Sequence, residues 1–302
     1  MTAFALTLIL IAAVLHASWN LCAKRVGGGL PWVWLVGTII CAFYLPVVAV
    51  YWLWKHPELP WDAIVWIFGS GVLKTAYSLF LQRGYRHGDF SLIYPLARGT
   101  GPLLSTLAAV AILGERPSAL ALAGALAIIA AVFWVAGGWE RIAALISKRP
   151  QLAAAPAGTP SPIVTSFNYG LLSGVFIASY TLWDKHGVAG LAIAPLLYDA
   201  GTSCTQLVLL TPFVLRRWPE VAQHWREHWH YAFAMAVLAP AAYVLVLTAM
   251  TFTPVSYVAP AREVSIVIGA FFGAHFLKES DSRKRIIAAA VMAAGVVALA
   301  LG

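Results

Sequence analysis

The sequence predicts an all-α polytopic membrane protein, ten transmembrane helices arranged as two inverted five-helix repeats, and three observations predict it. Hydrophobic residues make up 61% of the chain and charged ones 11%, whereas a soluble domain carries about 25% charged residues. The apolar residues fall into runs separated by short polar breaks, and a run of ~20 residues is what a helix needs to cross a bilayer. The chain also repeats itself. One shift of 164 residues superposes Trp19 on Trp183, Arg98 on Arg262, Leu113 on Leu277 and Glu115 on Glu279.

Taken in order, the spans are expected at 3–22, 31–54, 63–82, 90–113, 118–138, 166–186, 193–215, 230–250, 255–277 and 284–301. The first has no basic residue before it and the length to stay in the membrane, unlike a cleaved signal. Gly/Pro or charged breaks such as GGGLP at 27–31 and KHPELP at 55–60 end the helices. Residues 1–138 and 166–302 form the two repeats, joined by 139–165. In that connection Trp139–Arg149 sets Trp139, Ile142, Leu145 and Ile146 against Arg141, Lys148 and Arg149, the pattern of a helix lying in the interface. Gln151–Pro162 is Ala/Pro-rich and reads as a flexible linker. A second interfacial segment carries Trp218, Trp225 and Trp229 at helical spacing. Cys22, Cys41 and Cys204 lack paired spacing and read as packed, reduced thiols.

Orientation follows from the basic residues. Odd-numbered loops hold fourteen lysines and arginines; even-numbered loops hold three, Lys55, Arg116 and Lys185. The positive-inside rule puts the odd loops in the cytoplasm and both termini outside the inner membrane. This asymmetry also accounts for the net charge of +8 without nucleic acid. Five crossings per repeat invert the second half relative to the first, and inverted repeats with a midplane site are built for transport.

The functional problem is set by two arginines. Arg98 interrupts FSLIYPLARGTGPLLSTLAAVAILGE (90–115), and Arg262 interrupts PVSYVAPAREVSIVIGAFFGAHFLKE (254–279), each seventeen residues before a glutamate. Both fall roughly 5 Å from the middle of their spans, too deep for snorkelling. An arginine there costs on the order of 3 kcal/mol on insertion scales, so it must face a polar cavity or a partner. Two readings stand: a structural ion pair with Glu263 or Asp199, or a site for a solute.

In LHASWNLCAK (15–24), YRHGDFSLIYPLARGTGPLL (85–104), ILGERPS (112–118), SYTLWDKHGV (179–188) and AREVSIVIGAFFGAHFLKE (261–279) the chain resembles the drug/metabolite transporter superfamily, in its ten-helix EamA-like branch. The resemblance spans both halves. The Gly-Glu at 114–115 is a branch-wide feature, and the second half departs from it with Lys278-Glu279. YPLARG and ARE resemble a narrower group, some of whose members are linked to phosphonate use. What the resemblance implies is a secondary transporter; the superfamily carries amino acids, nucleotide sugars, drugs and cations on similar frames, so it does not name the solute.

Arg98 and Arg262 are the candidates for binding a carboxylate or phosphonate, because guanidinium matches planar oxyanions bidentately. Trp19, Trp183, Tyr94, Tyr180, Lys74, Tyr77 and Ser265 are the further solute-binding candidates. Glu263, Asp199 and His16 are candidates for coupling to a proton or counter-substrate, or for pairing charge. Pro95 and Pro260, just before the arginines, are hinge candidates. Glu115 and Glu279 are expected to bond the start of the next helix. Asp184 lies near a loop, which favours solvation over function. A rival reading is a cation or quaternary-amine carrier with Trp19, Trp183, Tyr94 and Tyr180 as an aromatic cage. A membrane enzyme acting on lipid head groups is another. No P-loop, HExxH, GxSxG or paired CxxC occurs, so no cofactor, metal or enzymatic activity is expected.

Overall fold

The computed structural model describes residues 1–87, 90–135, 162–269 and 282–302, and among them it is helical without any strand. Trp139–Arg149, linker residues 151–161, Leu277, Lys278 and Glu279 lie outside the described residues, while 162–165, expected in the connection, open the sixth helix. The first half contains α1 (Ala3–Val26), α2 (Leu30–Lys55), α3 (Ala63–His87), α4 (Phe90–Ile112) and α5 (Ala119–Val135). The second contains α6 (Pro162–Lys185), α7 (Pro195–Val214), α8 (Trp218–Phe252), α9 (Val255–Arg262) and α10 (Ser282–Leu301).

Local chemistry sets most of the ends. Thr2 caps α1 by accepting from the Ala5 N–H at 3.2 Å. Gly27, at φ 62°, closes the same helix in the left-handed region where glycine is not strained. Pro31 and Pro195 stand in the first turns of α2 and α7, where no N–H is needed. Ser118 caps α5 through the Ala121 N–H at 3.0 Å.

Two features of the second half matter for function. The interfacial segment at 218–229 and the eighth span meet end to end within α8 at His228, whose φ of −134° and ψ of 18° are not helical. The ninth span is interrupted. α9 runs through Pro260 and ends at Arg262, and Glu263 takes up a turn with its N–H on the Pro260 carbonyl at 3.0 Å. Helix resumes at 264–269.

The packing partners change places under a shift of five helices. α1 packs on α8 as α6 packs on α3; α2 packs on α8 as α7 packs on α3; α4 packs on α6 as α9 packs on α1. The pairs α2–α7, α4–α9 and α5–α10 map onto themselves. The duplication seen in the sequence is therefore a two-fold relation in space. One apolar core, rich in alanine, joins α1, α5, α8, α9 and α10 around Ile9, Ala125, Ile128, Leu247, Met292 and Leu299. A second joins α2, α7 and α8 around Trp32, Leu35, Leu210 and Met235. The alanines of the first core suit a membrane, where helices gain from close backbone approach rather than from leaving water.

Glu115 ties the halves together. Its two carboxylate oxygens accept from the N–H groups of Val255 and Ser256 at 2.7 and 2.8 Å. It thus caps α9, in the other half of the chain, and not the next helix as its position in the sequence suggested. Free N–H groups at a helix start favour a carboxylate wherever the fold brings one.

Candidate functional site

Arg98 and Arg262 meet over one carboxylate. Arg98 projects from α4, a turn beyond Tyr94, and Arg262 ends α9, which packs against α4. Arg98 Nη1 lies 3.7 Å and Arg262 Nε 3.6 Å from the same atom, Glu263 Oε1. Arg262 closes α9 and Glu263 follows it in the turn, so the pair is made between neighbours in the sequence and Arg98 reaches it from α4. On its other side Arg98 donates from Nη2 to His16 Nε2 at 2.7 Å. A guanidinium has no acceptor, so this ring nitrogen carries the lone pair. The Tyr94 ring lies 5.9 Å from the Arg98 carbon Cζ, and Trp19 stands edge-on to His16 at 4.8 Å.

The centre is buried and incompletely satisfied. Glu263 is 1% exposed, yet among the described residues its Oε2 and the Arg262 Nε have no hydrogen-bond partner. Both ion-pair distances exceed the ~2.7–2.9 Å of a formed charge-assisted hydrogen bond. Among the described residues two cations thus share one anion, with hydrogen-bonding capacity unfilled. Ser265, also buried, follows directly beyond the break.

A second polar centre lies between α3, α6, α7 and α8. Asp184, 0% exposed, accepts from Ser70 at 2.5 Å and Tyr198 at 3.0 Å on Oδ1, and from the Tyr243 hydroxyl on Oδ2. Lys74 Nζ stands 3.3 Å from Oδ2 and donates to Thr202 Oγ1 at 3.2 Å. The Tyr243 ring faces that ammonium at 4.3 Å and the Tyr180 ring at 6.0 Å. Tyr180 also stands edge-on to Tyr77.

The sequence candidates are thus sorted. Arg98, Arg262, Glu263, His16, Trp19 and Tyr94 converge on the first centre; Lys74 belongs to the second, and Tyr77 and Tyr180 stand between them, within electrostatic reach of Arg98. Asp199 joins neither arginine: its Oδ2 accepts from the Tyr44 hydroxyl at 2.5 Å across the α2–α7 contact. Trp183 turns to α3, its indole N–H on the Trp66 carbonyl at 2.8 Å and its ring over Gly69, where a Cβ would come within 2.5 Å. Of Pro95 only the backbone, inside α4, is described. Asp184 corrects the expectation of solvation. The chain beyond it folds into a π-turn, His186–Gly190, whose Gly187 lies against Tyr198, so proximity to a loop does not bring it to water. Tyr243 escaped notice altogether. The available signal for Asp184 was its alignment, under the shift of 164, with the polar Asn20 inside the first span.

The profile of the EamA-like transporter family matches residues 3–137 and 166–301. The chain belongs to the EamA-like transporter family. It is a multi-pass membrane protein of the drug/metabolite transporter type, with one EamA repeat in each half. No curated protein matches it. Several solved chains match; in one, a crystal structure of a protein, the TM-score is 0.73 at 17% identity, covering 100% of this chain and 98% of its own. That likeness shows the fold alone. In this EamA-like transporter the two buried polar centres are formed where the repeats meet: Arg98 and Lys74 come from the first, Arg262, Glu263 and Asp184 from the second.

Proposed function

We propose that this protein is a secondary transporter that moves a small polar or amphipathic organic solute carrying an anionic group across the cytoplasmic membrane by alternating access. One observation carries the reading. Arg98 and Arg262, one from each repeat, share a single buried carboxylate oxygen at 3.7 and 3.6 Å, with Arg262 Nε and Glu263 Oε2 unsatisfied among the described residues. A carboxylate or phosphonate entering between the guanidiniums supplies the missing acceptors and the missing negative charge. A site made from both repeats changes its access when the repeats rock against each other. Glu263 then competes with the solute for the same cations, which gives a means of release.

Binding can be read from melting temperature in detergent, since a ligand that binds only the folded state raises it. Acetate and methylphosphonate are expected to raise it for the parent protein. In Arg98→Lys and Arg262→Lys the charge remains but the planar fork is lost, and affinity for these anions should fall roughly 10- to 100-fold, the worth of a charge-assisted hydrogen bond. Unchanged affinity in both variants would place the anion elsewhere.

The membrane orientation is tested separately. From fourteen basic residues in odd loops against three in even ones, both termini are expected outside. A C-terminal alkaline phosphatase fusion should be active and a C-terminal fluorescent-protein fusion dark; the opposite pair of results reverses the assignment.

A further inference from the structure

Lys74 is held in the way a free amine would be bound. Its ammonium has a carboxylate oxygen at 3.3 Å, a hydroxyl oxygen at 3.2 Å and an aromatic face at 4.3 Å, supplied by Asp184, Thr202 and Tyr243. An anion, a neutral acceptor and a π-face satisfy both the charge and the N–H groups of a primary ammonium. The recipient is built rigidly. Asp184 is fully buried, and three hydroxyls from Ser70, Tyr198 and Tyr243 fix its two oxygens. The occupant is not rigid. Lys74 sits on a flexible four-carbon stem, its side chain is 14% exposed where that of Asp184 is 0%, and both of its polar contacts are longer than a formed charge-assisted bond.

The amine pocket adjoins the arginine centre. Tyr180 and Tyr243, the two rings beside Lys74, also lie within electrostatic reach of Arg262. A place for the lysine to go is present too. Asp199, less than a turn before Thr202 on α7, is within electrostatic reach of Lys74, and its one described hydrogen-bond donor, Tyr44, occupies Oδ2.

We propose that Asp184, Thr202 and Tyr243 form a primary-ammonium site in which Lys74 is a tethered stand-in, displaced toward Asp199 when the amino group of a zwitterionic solute enters. The carboxylate end of that solute rests on the arginine reading given above; the ammonium end rests on the Lys74 geometry alone. The exchange conserves charge at Asp184, since one ammonium replaces another. It also selects for a primary amine, because a quaternary ammonium has no N–H for Thr202 or Asp184.

The test is chemical rescue in purified protein, with methylammonium as the probe and tetramethylammonium at equal ionic strength as the control. Lys74→Ala leaves Asp184 buried without its counter-charge and should melt roughly 10 °C below the parent. Methylammonium should restore most of that loss and tetramethylammonium none. Lys74→Ala with Asp184→Asn removes both charges and should regain stability without responding to methylammonium. If Lys74→Ala does not accumulate, Lys74→Gln keeps a neutral donor beside Asp184 and is read with the same two salts. No selective recovery in the single variant, or equal recovery in the double, overturns the ammonium site. Acetate binding by Arg98 and Arg262 is measured independently, so either end of the zwitterion site can fail while the other stands.

Discussion

Glu263→Ala is expected to destabilise the protein far more than removal of either arginine it pairs with. The deletion leaves Arg98 and Arg262 facing one another with no anion between them, where Glu263 Oε1 now stands 3.7 and 3.6 Å from each. Stranding a buried charge costs ~3–5 kcal/mol, which corresponds to a fall in melting temperature of roughly 10 °C for a chain of this size. Arg98→Ala has the opposite balance: Arg262 and Glu263 remain as a neutral pair and the excess positive charge is gone, so melting should stay close to the parent while anion binding is lost. Acetate or methylphosphonate should recover much of the stability of Glu263→Ala, because the anion takes the place of the missing carboxylate. Melting curves of the three proteins, with and without anion, decide the matter. Equal collapse in Glu263→Ala, Arg98→Ala and Arg262→Ala without rescue by anions would make the cluster a structural ion pair and end the solute-site reading.

The parts of this architecture that depend on long averages were legible in the sequence. Apolar runs gave helices whose ends fall within a few residues of those expected over most of the described chain, because bilayer thickness and short loops leave little choice. The shift of 164 brought Arg98 and Arg262 into correspondence, and spatial exchange of the helix pairs follows from the same duplication. What escaped notice depends on single contacts between distant segments. Glu115 caps α9 across the two halves because its carboxylate meets the free N–H groups of Val255 and Ser256, something no local pattern records. The interruption at Glu263 was only half visible. Pro260 signals a weakened helix, but many prolines merely kink one, and the turn falls beyond the proline, at Glu263. Asp184 was misread for a physical reason: distance from a chain end measures solvation only where the loop is open, and here Tyr198, Tyr243 and Ser70 close over the carboxylate.

Two glycine-to-alanine changes, chemically identical, should shift stability in opposite directions. Gly124 on α5 lies against α10, where an added Cβ would come within 2.6 Å of the Gly295 carbonyl oxygen, 2.9 Å of the Ala298 Cβ and 3.0 Å of the Leu299 nitrogen. These are backbone or near-backbone atoms, so no side chain can rotate away; the helices must separate. The opposing Gly295 is equally tight, its own added Cβ standing 2.8 Å from the Gly124 oxygen, and α5–α10 is one of the pairs that the two-fold relation maps onto itself. Overpacking at such a site costs ~1–3 kcal/mol, and Gly124→Leu exceeds it by prising the helices further apart, with the loss of close contacts that hold helices together in lipid. Gly37 on α2 meets only the Leu207 Cδ1, at 3.8 Å, an ordinary contact. Gly37→Ala should therefore be neutral or stabilising by up to ~1 kcal/mol through the higher helix propensity of alanine. Thermal unfolding of Gly124→Ala, Gly124→Leu and Gly37→Ala in one detergent measures the contrast. The order expected is Gly37→Ala at or above the parent, Gly124→Ala below it and Gly124→Leu lowest. Indifference of α5 to leucine at position 124 would mean that the two helices do not pack backbone to backbone, and with that the two-fold contact between the repeats would be lost.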